Sequence, residues 1–454
     1  AQGRSLSEGM REHPSVFKKE VCDIIEAGER AGRLDEVAQR LAQALEAGDL
    51  SSVLTTFAPP DEIKSSEAAP VIRIVNMILV EAIKQRATDI HFELTSEGKV
   101  SIRFRIDGVL KECDPFPENL WLQVVSRIKI MSDMDVAQHR LPQDGRIQLK
   151  ALGKQIDLRV SVAPTVSGER IVLRLLDRES VRIQVRNLGL ETDDLEKILG
   201  LVHQPHGLVI CSGPTGSGKT TMLYALLQEL NRKENCVVTV EDPVEYILEG
   251  VSQMAVRAAD GLTFSRAMRT LLRQDPDVIL VGEIRDLETL QVSLQATLTG
   301  HMVLTTMHGD DAVDTLKRMI DIGVEPFMMN SGLAGVIAQR LFRKLCQKCK
   351  QAYEPPRHQL PPEMLAILAK NPGVTLYRPQ GCEACNKGYK GRGAIHEILV
   401  MNEPVRRLIG PSLATGEIRR VARLHGMKTL LESGMVKVIN GITSIEEVLR
   451  IIPW

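Results

Sequence analysis

Apolar positions along the chain change their period from segment to segment, and each change predicts a different element. Over residues 1–57, Val16, Phe17, Val21, Ile24 and Ile25, then Leu34, Val37, Leu41 and Leu45, fall near helical spacing. Gly28-Glu29-Arg30-Ala31-Gly32 interrupts them as a helix-turn-helix corner, and a Pro/Ser-containing linker occupies 58–68. Residues 69–180 read as mixed α/β: a helix over 71–87, then short stretches in which apolar and polar residues alternate. In 101–106, Ile102, Phe104 and Ile106 share one face and Arg103 and Arg105 the other, and Asp107-Gly108 supplies a hairpin turn. The alternation returns at 155–162 and 170–176 and places Arg159 and Arg174 opposite the aliphatic stripes, a pattern that by itself describes a solvated strand face.

Beyond a linker at 181–194 the pattern changes again. From 195 to 341, short apolar runs such as Leu208-Val209-Ile210-Cys211 and Val278-Ile279-Leu280-Val281 alternate with helical patterns, which predicts a mostly parallel sheet. Cysteine pairs and proline-containing loops fill 342–400. The remainder, 401–454, is helical, with Thr443-Ser444-Ile445-Glu446 at capping-box spacing before the last helix. The predicted fold class is α/β.

Composition narrows the functional classes. The 454 residues are 43% apolar and 25% charged, with a formal net charge of -1 and only 8 Phe, 5 Tyr and 2 Trp. Such a chain has neither the bulk charge nor the stacking surface of a general nucleic-acid binder, so no nucleic-acid partner is expected. No apolar run reaches the length of a membrane span, and residues 1–50 lack the apolar stretch of a secretory signal, which favours a cytoplasmic location. Eight cysteines in a chain of this length are not a disulfide framework.

Chemistry enters at Gly213-Pro214-Thr215-Gly216-Ser217-Gly218-Lys219-Thr220, which fits GxxxxGK[ST] between a strand candidate (207–211) and a helix candidate (221–230). Glycines at this spacing let backbone N–H groups close around phosphate oxygens, while Lys219 offers a point charge to the β- and γ-phosphates and Thr220 an Mg²⁺ ligand. Glu283 ends a later apolar strand, 64 residues beyond Lys219, as expected of an acid that holds the metal's water. The intervening strand, 236–240, runs into Glu241-Asp242-Pro243-Val244-Glu245, a second acidic strand end able to activate water. A further strand ends in Thr306-Met307-His308, where His308 is a candidate γ-phosphate contact. Cys346, Cys349, Cys382 and Cys385 form two CxxC pairs separated by 32 residues, the spacing of a closed structural Zn²⁺ site. Cys22, Cys113, Cys211 and Cys236 are read as buried small hydrophobes.

Taken together, these residues resemble the hexameric ATPases of type II secretion and type IV pilus assembly, from about Ala69 to the end. The resemblance rests on Arg86-Ala87-Thr88-Asp89-Ile90-His91, Gly168-Glu169-Arg170, the phosphate loop through Thr221, Glu241 to Glu245, Gly282-Glu283-Ile284-Arg285-Asp286 and Thr306-Met307-His308. It implies a PAS-like α/β N-terminal half linked to a RecA-like P-loop NTPase half, with a zinc-bearing subdomain, arranged as a homo-hexamer. It further implies ATP with Mg²⁺ as the nucleotide, Glu245 as general base, and Arg159, Arg174, Arg269 and Arg273 as the family's arginines, with Thr221 completing the loop. The tetracysteine element is similar to that of assembly and secretion members rather than retraction ones. The implied partners are an inner-membrane platform protein and a cytoplasmic adaptor, with peripheral membrane association through them. At the front the chain departs from the family: Phe17 to Leu34 resembles a helical stretch of the platform protein instead of the usual adaptor-binding domain. A nucleic-acid translocase on the same core and a nucleotide-gated, non-hydrolysing adaptor remain the alternative readings.

Overall fold

The structure is a computed structural model and describes Met10 and residues 68–177, 184–231, 233–356, 358 and 360–452. The helices expected over 1–57, most of the 58–68 linker and Cys22 lie outside the described residues. The chain divides into two compact units, Ala1–Met77 with Leu122–Arg127 and Ile78–Trp121 with Ile128–Trp454. Described residues of the first are the opening turns of the Ala68–Lys84 helix and the middle of the Trp121–Met131 helix. All the chemistry considered below belongs to the second.

The second unit holds two large sheets. The first is antiparallel and is built from β1 (Asp89–Leu94), β2 (Val100–Ile106), β3 (Val109–Cys113), β4 (Gln143–Ala151), β5 (Lys154–Thr165) and β6 (Gly168–Asp177). Its strand order is β3-β2-β1-β6-β5-β4. Alternation decides its faces: Ile102, Phe104 and Ile106 are buried while Arg103 and Arg105 between them are not. The β2–β3 turn at Asp107-Gly108 has φ of 50° and 82°, the left-handed pair that a tight hairpin requires.

The second sheet contains β7 (Gly207–Ser212), β8 (Val237–Glu241), β9 (Ser252–Ala255), β10 (Val278–Val281), β11 (Met302–Met307) and β12 (Leu333–Leu345). After the small ribbon of β13 (Gln351–Tyr353) and β14 (Leu376–Arg378), the chain returns as β15 (Tyr389–Val400), and the order is β15-β12-β7-β11-β10-β8-β9. Every pair except β12–β15 is parallel. Parallel strands need helical crossovers that cover both faces, so β7, β8, β10 and β11 are buried along their whole length and are mostly apolar, with Thr239, Glu241, Thr305 and Thr306 among the buried polar exceptions. One face packs under helices Phe264–Leu271, Leu287–Leu298 and Ala312–Ile322, the other under Thr192–Val202 and Lys219–Leu230. The sheet itself runs past the 341/342 boundary expected from sequence, because β12 continues to Leu345 and β15 pairs back along it.

Three local expectations need correction. The last helix is capped by Ser444, which accepts the Glu447 N–H, rather than by a box starting at Thr443; Glu447 instead bonds Arg343 and Arg450. A reciprocal capping box does occur, at Thr429 and Glu432. Of the three described cysteines outside the CxxC pairs, Cys211 is buried, but Cys113 is half-exposed and Cys236 exposed. Cys113 ends the edge strand β3 and Cys236 precedes β8, where the chain is still entering the sheet.

Glu397 of β15 ties this sheet to two helices. Its carboxyl accepts the Ala312 N–H at 3.0 Å and the Leu430 N–H at 3.2 Å, satisfying the first turns of both. Burial, reinforced by Asp311, pushes its pKa up to about 7. A raised folded-state pKa contributes stability that is present below about 4.5 and lost as pH rises through about 7. Glu397→Gln should therefore lower stability overall and flatten its decline between those pH values, read from denaturant melts across the range.

Candidate nucleotide site and cysteine cluster

Strand β7 ends at Ser212 and opens directly into the loop 213–218, after which Lys219 begins a helix. Gly213 and Gly218 have φ of 147° and 88°, and a Cβ on Gly218 would stand 2.7 Å from the Gln339 side chain. Neither position admits another residue without rebuilding the loop. The Lys219 ammonium folds back on the loop, donating to the Gly213 carbonyl at 2.8 Å and the Pro214 carbonyl at 3.0 Å. Burial lowers its pKa and Arg340 adds to that, while Cys211 and Glu283 oppose it. Cys211, beneath the loop, is an inert thiol that burial pushes up to about 12. Ser217 is buried, whereas Thr220 and Thr221 are exposed at the helix start.

The parallel register brings the other predicted strand ends beside this loop. Val281 of β10 pairs with Thr305 of β11, and Thr305 with Ile210 of β7. Glu283 therefore follows β10, and His308 follows β11, on the edge that carries the loop. Two bonds fix the turn around Glu283: Thr306 Oγ1 donates to the Gly282 carbonyl at 2.8 Å, and the Ile284 N–H to the Thr306 carbonyl at 2.9 Å. Gly282 is closely fitted, since a Cβ there would lie 3.3 Å from Glu241 Cα and 3.4 Å from the Val240 carbonyl, so the adjacent strand would have to give by a few tenths of an ångström. Glu283 pairs with Arg285. Burial and then Lys219 lower the pKa of His308, with Glu283 acting in the opposite direction, so Lys219, Glu283 and His308 form one electrostatic group.

Glu241 and Glu245, close in sequence, have different surroundings. Glu241 is buried and taken up by Tyr224, by Thr239 at 2.6 Å and by Gln253 at 3.1 Å, so it is a core residue. Glu245 is half-exposed and held by two contacts with Arg159 of β5, at 2.8 and 3.2 Å. Arg159 is thus placed beside the predicted base. Arg174 instead pairs with Asp89 at 3.1 Å and Arg269 with Glu288 at 3.0 Å; Arg273 is exposed. None of these three makes a hydrogen bond or ion pair with Lys219, Glu245, Glu283 or His308. Glu169 pairs with the fully buried Lys129 at 2.6 Å and with His139 at 2.8 Å, which makes Gly168-Glu169-Arg170 a structural motif of the first sheet.

Two residues of the site were missed from sequence, Gln339 and Arg340 of β12. Arg340 is buried and donates to the Asp310 carbonyl at 2.8 Å and its carboxylate at 3.2 Å. Gln339 contacts the phosphate loop itself. Their signal was present as two polar residues inside the apolar run Val336-Ile337-Ala338-Gln339-Arg340-Leu341. Alongside the loop opens a cleft of about 1030 Å³ lined by Gly218, Thr221, Tyr224, Leu188, Ile156 and Arg86, among others.

The four predicted cysteines converge, with all four sulfurs within 4.8 Å of one another. Cys346–Cys382, Cys349–Cys385 and Cys382–Cys385 sulfurs are 3.9, 3.7 and 3.6 Å apart. A tetrahedron of Zn–S bonds near 2.3 Å has edges of about 3.8 Å, which these three separations match, so the donor set fits one ion.

A glycine loop between a buried parallel strand and a helix, with acidic and histidine strand ends beside it, defines a RecA-like P-loop ATPase. The comparisons with known proteins agree. Residues 64–450 match the family described as Type II/IV secretion system protein, and the chain belongs to it. Residues 1–52 match a second family, described as Type II secretion system (T2SS), protein F. The chain is 47% identical over 412 residues to type II secretion system protein E of Aeromonas hydrophila, covering 89% of this chain and 81% of that protein. It is 45% identical over 392 residues to the type II secretion system ATPase E of Vibrio cholerae, covering 86% and 77%. Among solved structures, the pilus retraction motor PilT with bound ADP aligns at TM-score 0.55 and 27% identity, covering 82% of this chain and 95% of that one. The Legionella pneumophila ATPase DotB shares the fold at TM-score 0.62 and 20% identity, covering 86% and 97%.

The crowding at Gly282 is testable. Gly282→Ala should destabilise by about 1 kcal/mol, since its Cβ meets the backbone of the adjacent strand slightly inside ordinary contact, and wild-type stability in a thermal or denaturant melt would contradict that packing.

Proposed function

We propose that the chain is the ATP-hydrolysing motor of a type II secretion or type IV pilus assembly machine, working as a homo-hexamer on the cytoplasmic face of the inner membrane. What carries the reading is the meeting of the phosphate loop, Glu283 and His308 on one edge of one parallel sheet. PilT, solved with ADP, supports a nucleotide in the loop. Likeness of residues 1–52 to protein F supports a platform protein as partner, with a cytoplasmic adaptor completing recruitment. Among the described residues no helix is long and apolar enough to cross a membrane, which fits attachment through partners. In this reading 69–180 is the PAS-like half, 181–194 a linker, 195–341 the RecA-like core, 342–400 the zinc subdomain and 401–454 the helical end, with the core sheet borrowing 342–345 and 389–400 from the zinc subdomain.

The chemistry follows from position and charge. The backbone N–H groups of 213 and 215–221, with the Lys219 ammonium, hold the β- and γ-phosphates, and Thr220 is the residue that would hold Mg²⁺. When bound, magnesium neutralises charge on the phosphoryl oxygens. Glu283 would orient the metal's water, and His308, whose pKa burial and then Lys219 lower, contacts the γ-phosphate. Glu245 takes a proton from the attacking water, whose oxygen bonds to the γ-phosphorus as the bond to the β–γ bridging oxygen breaks and ADP leaves. That role requires the Arg159–Glu245 pair to part, and arrival of phosphate gives Arg159 a competing anion. Arg174, Arg269 and Arg273 supply further positive charge once the ring and nucleotide bring them in.

Glu245→Gln and Glu283→Gln, each still binding nucleotide, should lower phosphate release by about 100-fold or more; wild-type turnover in either variant would remove that residue from the mechanism. The cysteine cluster should hold one structural Zn²⁺ per chain. Elemental analysis of metal-replete protein tests this, and a chelator should loosen the segments of 342–400 outside the core sheet, 346–388, in hydrogen exchange while leaving the phosphate loop protected.

A further inference from the structure

We propose that Gln339 is a positioning residue for the phosphate loop, fixing the peptide plane between Ser217 and Gly218 so that the Gly218 N–H faces the phosphate. The inference rests on the nucleotide reading above and adds a residue to it. Gln339 is buried in the middle of β12, and its Nε2 donates to the Ser217 carbonyl at 2.6 Å. In a trans peptide the carbonyl and the following N–H point in opposite directions. Holding the Ser217 oxygen against β12 therefore turns the Gly218 N–H toward the concave side of the loop. Among the described residues that N–H meets no protein acceptor.

The amide has only one workable orientation. The Ser217 carbonyl can only accept, so the Nε2 side must face it and Oε1 must face away. There Oε1 lies 3.1 Å from His396 Nε2, which must then carry the proton and donate. Burial, with a smaller contribution from Lys437, pushes the His396 pKa down to about 3, so a neutral ring with a single N–H is the form present. Gln339 and His396 are direct partners across the β12–β15 ladder, which sets the two side chains next to each other on one face of the sheet. Steric fit closes the arrangement. A Cβ on Gly213 would fall 2.5 Å from the Gln339 carbonyl, and one on Gly218 2.7 Å from its Nε2. Two loop glycines thus rest directly on this residue, one on its backbone and the other on its side chain.

Because the aimed N–H serves a phosphate beyond the first, its loss should separate nucleotides by phosphate count. In the full-length chain, Gln339→Met keeps the length of the side chain and removes its donor. Its Kd for ADP and its KM for ATP should rise about tenfold, the scale of one hydrogen bond, while AMP affinity stays at the wild-type value. Gln339→Glu, which sets a carboxylate against the Ser217 carbonyl, should lose more. His396→Phe leaves Gln339 in place but frees its amide to turn, and should give a smaller loss of the same kind; it carries the test if the Gln339 variants do not fold. Unchanged ADP affinity in a folded variant, or an equal loss for AMP and ADP, would overturn the proposal. Wild-type protein that binds no ADP would overturn the nucleotide reading itself.

Discussion

Parallel pairing is the constraint on which the rest of this molecule depends. Strands β7, β8, β10, β11 and β12 run the same way, and a chain can join parallel neighbours only by crossing back through a covering element. Their carboxyl ends therefore share one edge, and whatever follows each strand is delivered to it: the phosphate loop after β7, Glu245 after β8, Glu283 after β10, His308 after β11. Residues far apart in sequence meet because the strands before them are in register. The same constraint explains the apolar runs, since crossovers bury both faces of the sheet. It also explains why Gly282 and Thr306, which have no chemistry of their own, are tightly fitted: they fix the spacing of two neighbouring strand ends.

The one antiparallel pair, β12 with β15, extends this framework beyond the site. Its residues alternate in use along one ladder. Gln339 lies under the phosphate loop, Arg340 points to the other face toward Asp310, Arg343 pairs with the buried Glu447, and the strand then delivers Cys346 to the cysteine cluster. On the partner strand His396 backs Gln339 and Glu397 caps two helices. Bed of the loop, anchors of the C-terminal helices and metal-binding end are thus segments of a single hairpin. A tetrahedral ion at its far end would hold together the two chain segments that β12 and β15 lead to, the role a closed thiolate site serves.

Local rules explain how much was legible beforehand. The loop glycines, the acid of Gly282-Glu283, the His308 strand end, the Asp107-Gly108 turn and the CxxC pairs each follow from a few neighbouring residues, because phosphate cradles, hairpins and thiolate sites set their own spacing. Errors arose where a side chain's partner is remote. Thr443 and Ser444 both stand three residues before a glutamate, and only the packing, with Glu447 drawn to Arg343 and Arg450, makes Ser444 the cap. Residue type alone predicts burial for Cys113 and Cys236, but an edge strand and a strand entrance leave them accessible. Gln339 and Arg340 were passed over because polar residues inside an apolar strand have meaning only when the neighbouring strand is known.

The amino-acid sequence alone determined the elements, the phosphate loop and the metal-binding spacing, since these are encoded by short-range periodicity and by residue chemistry at fixed intervals. Tertiary structure decided which charges meet. It set Glu245 against Arg159 but closed Glu241 into the core with Tyr224, although the two acids are four residues apart. It turned Arg174 to Asp89 and brought Gln339 beneath Ser217. The physical reason is that a charge or amide side chain takes its partner from strand register and packing, which depend on the whole chain, whereas a turn or a loop is settled by the residues that form it.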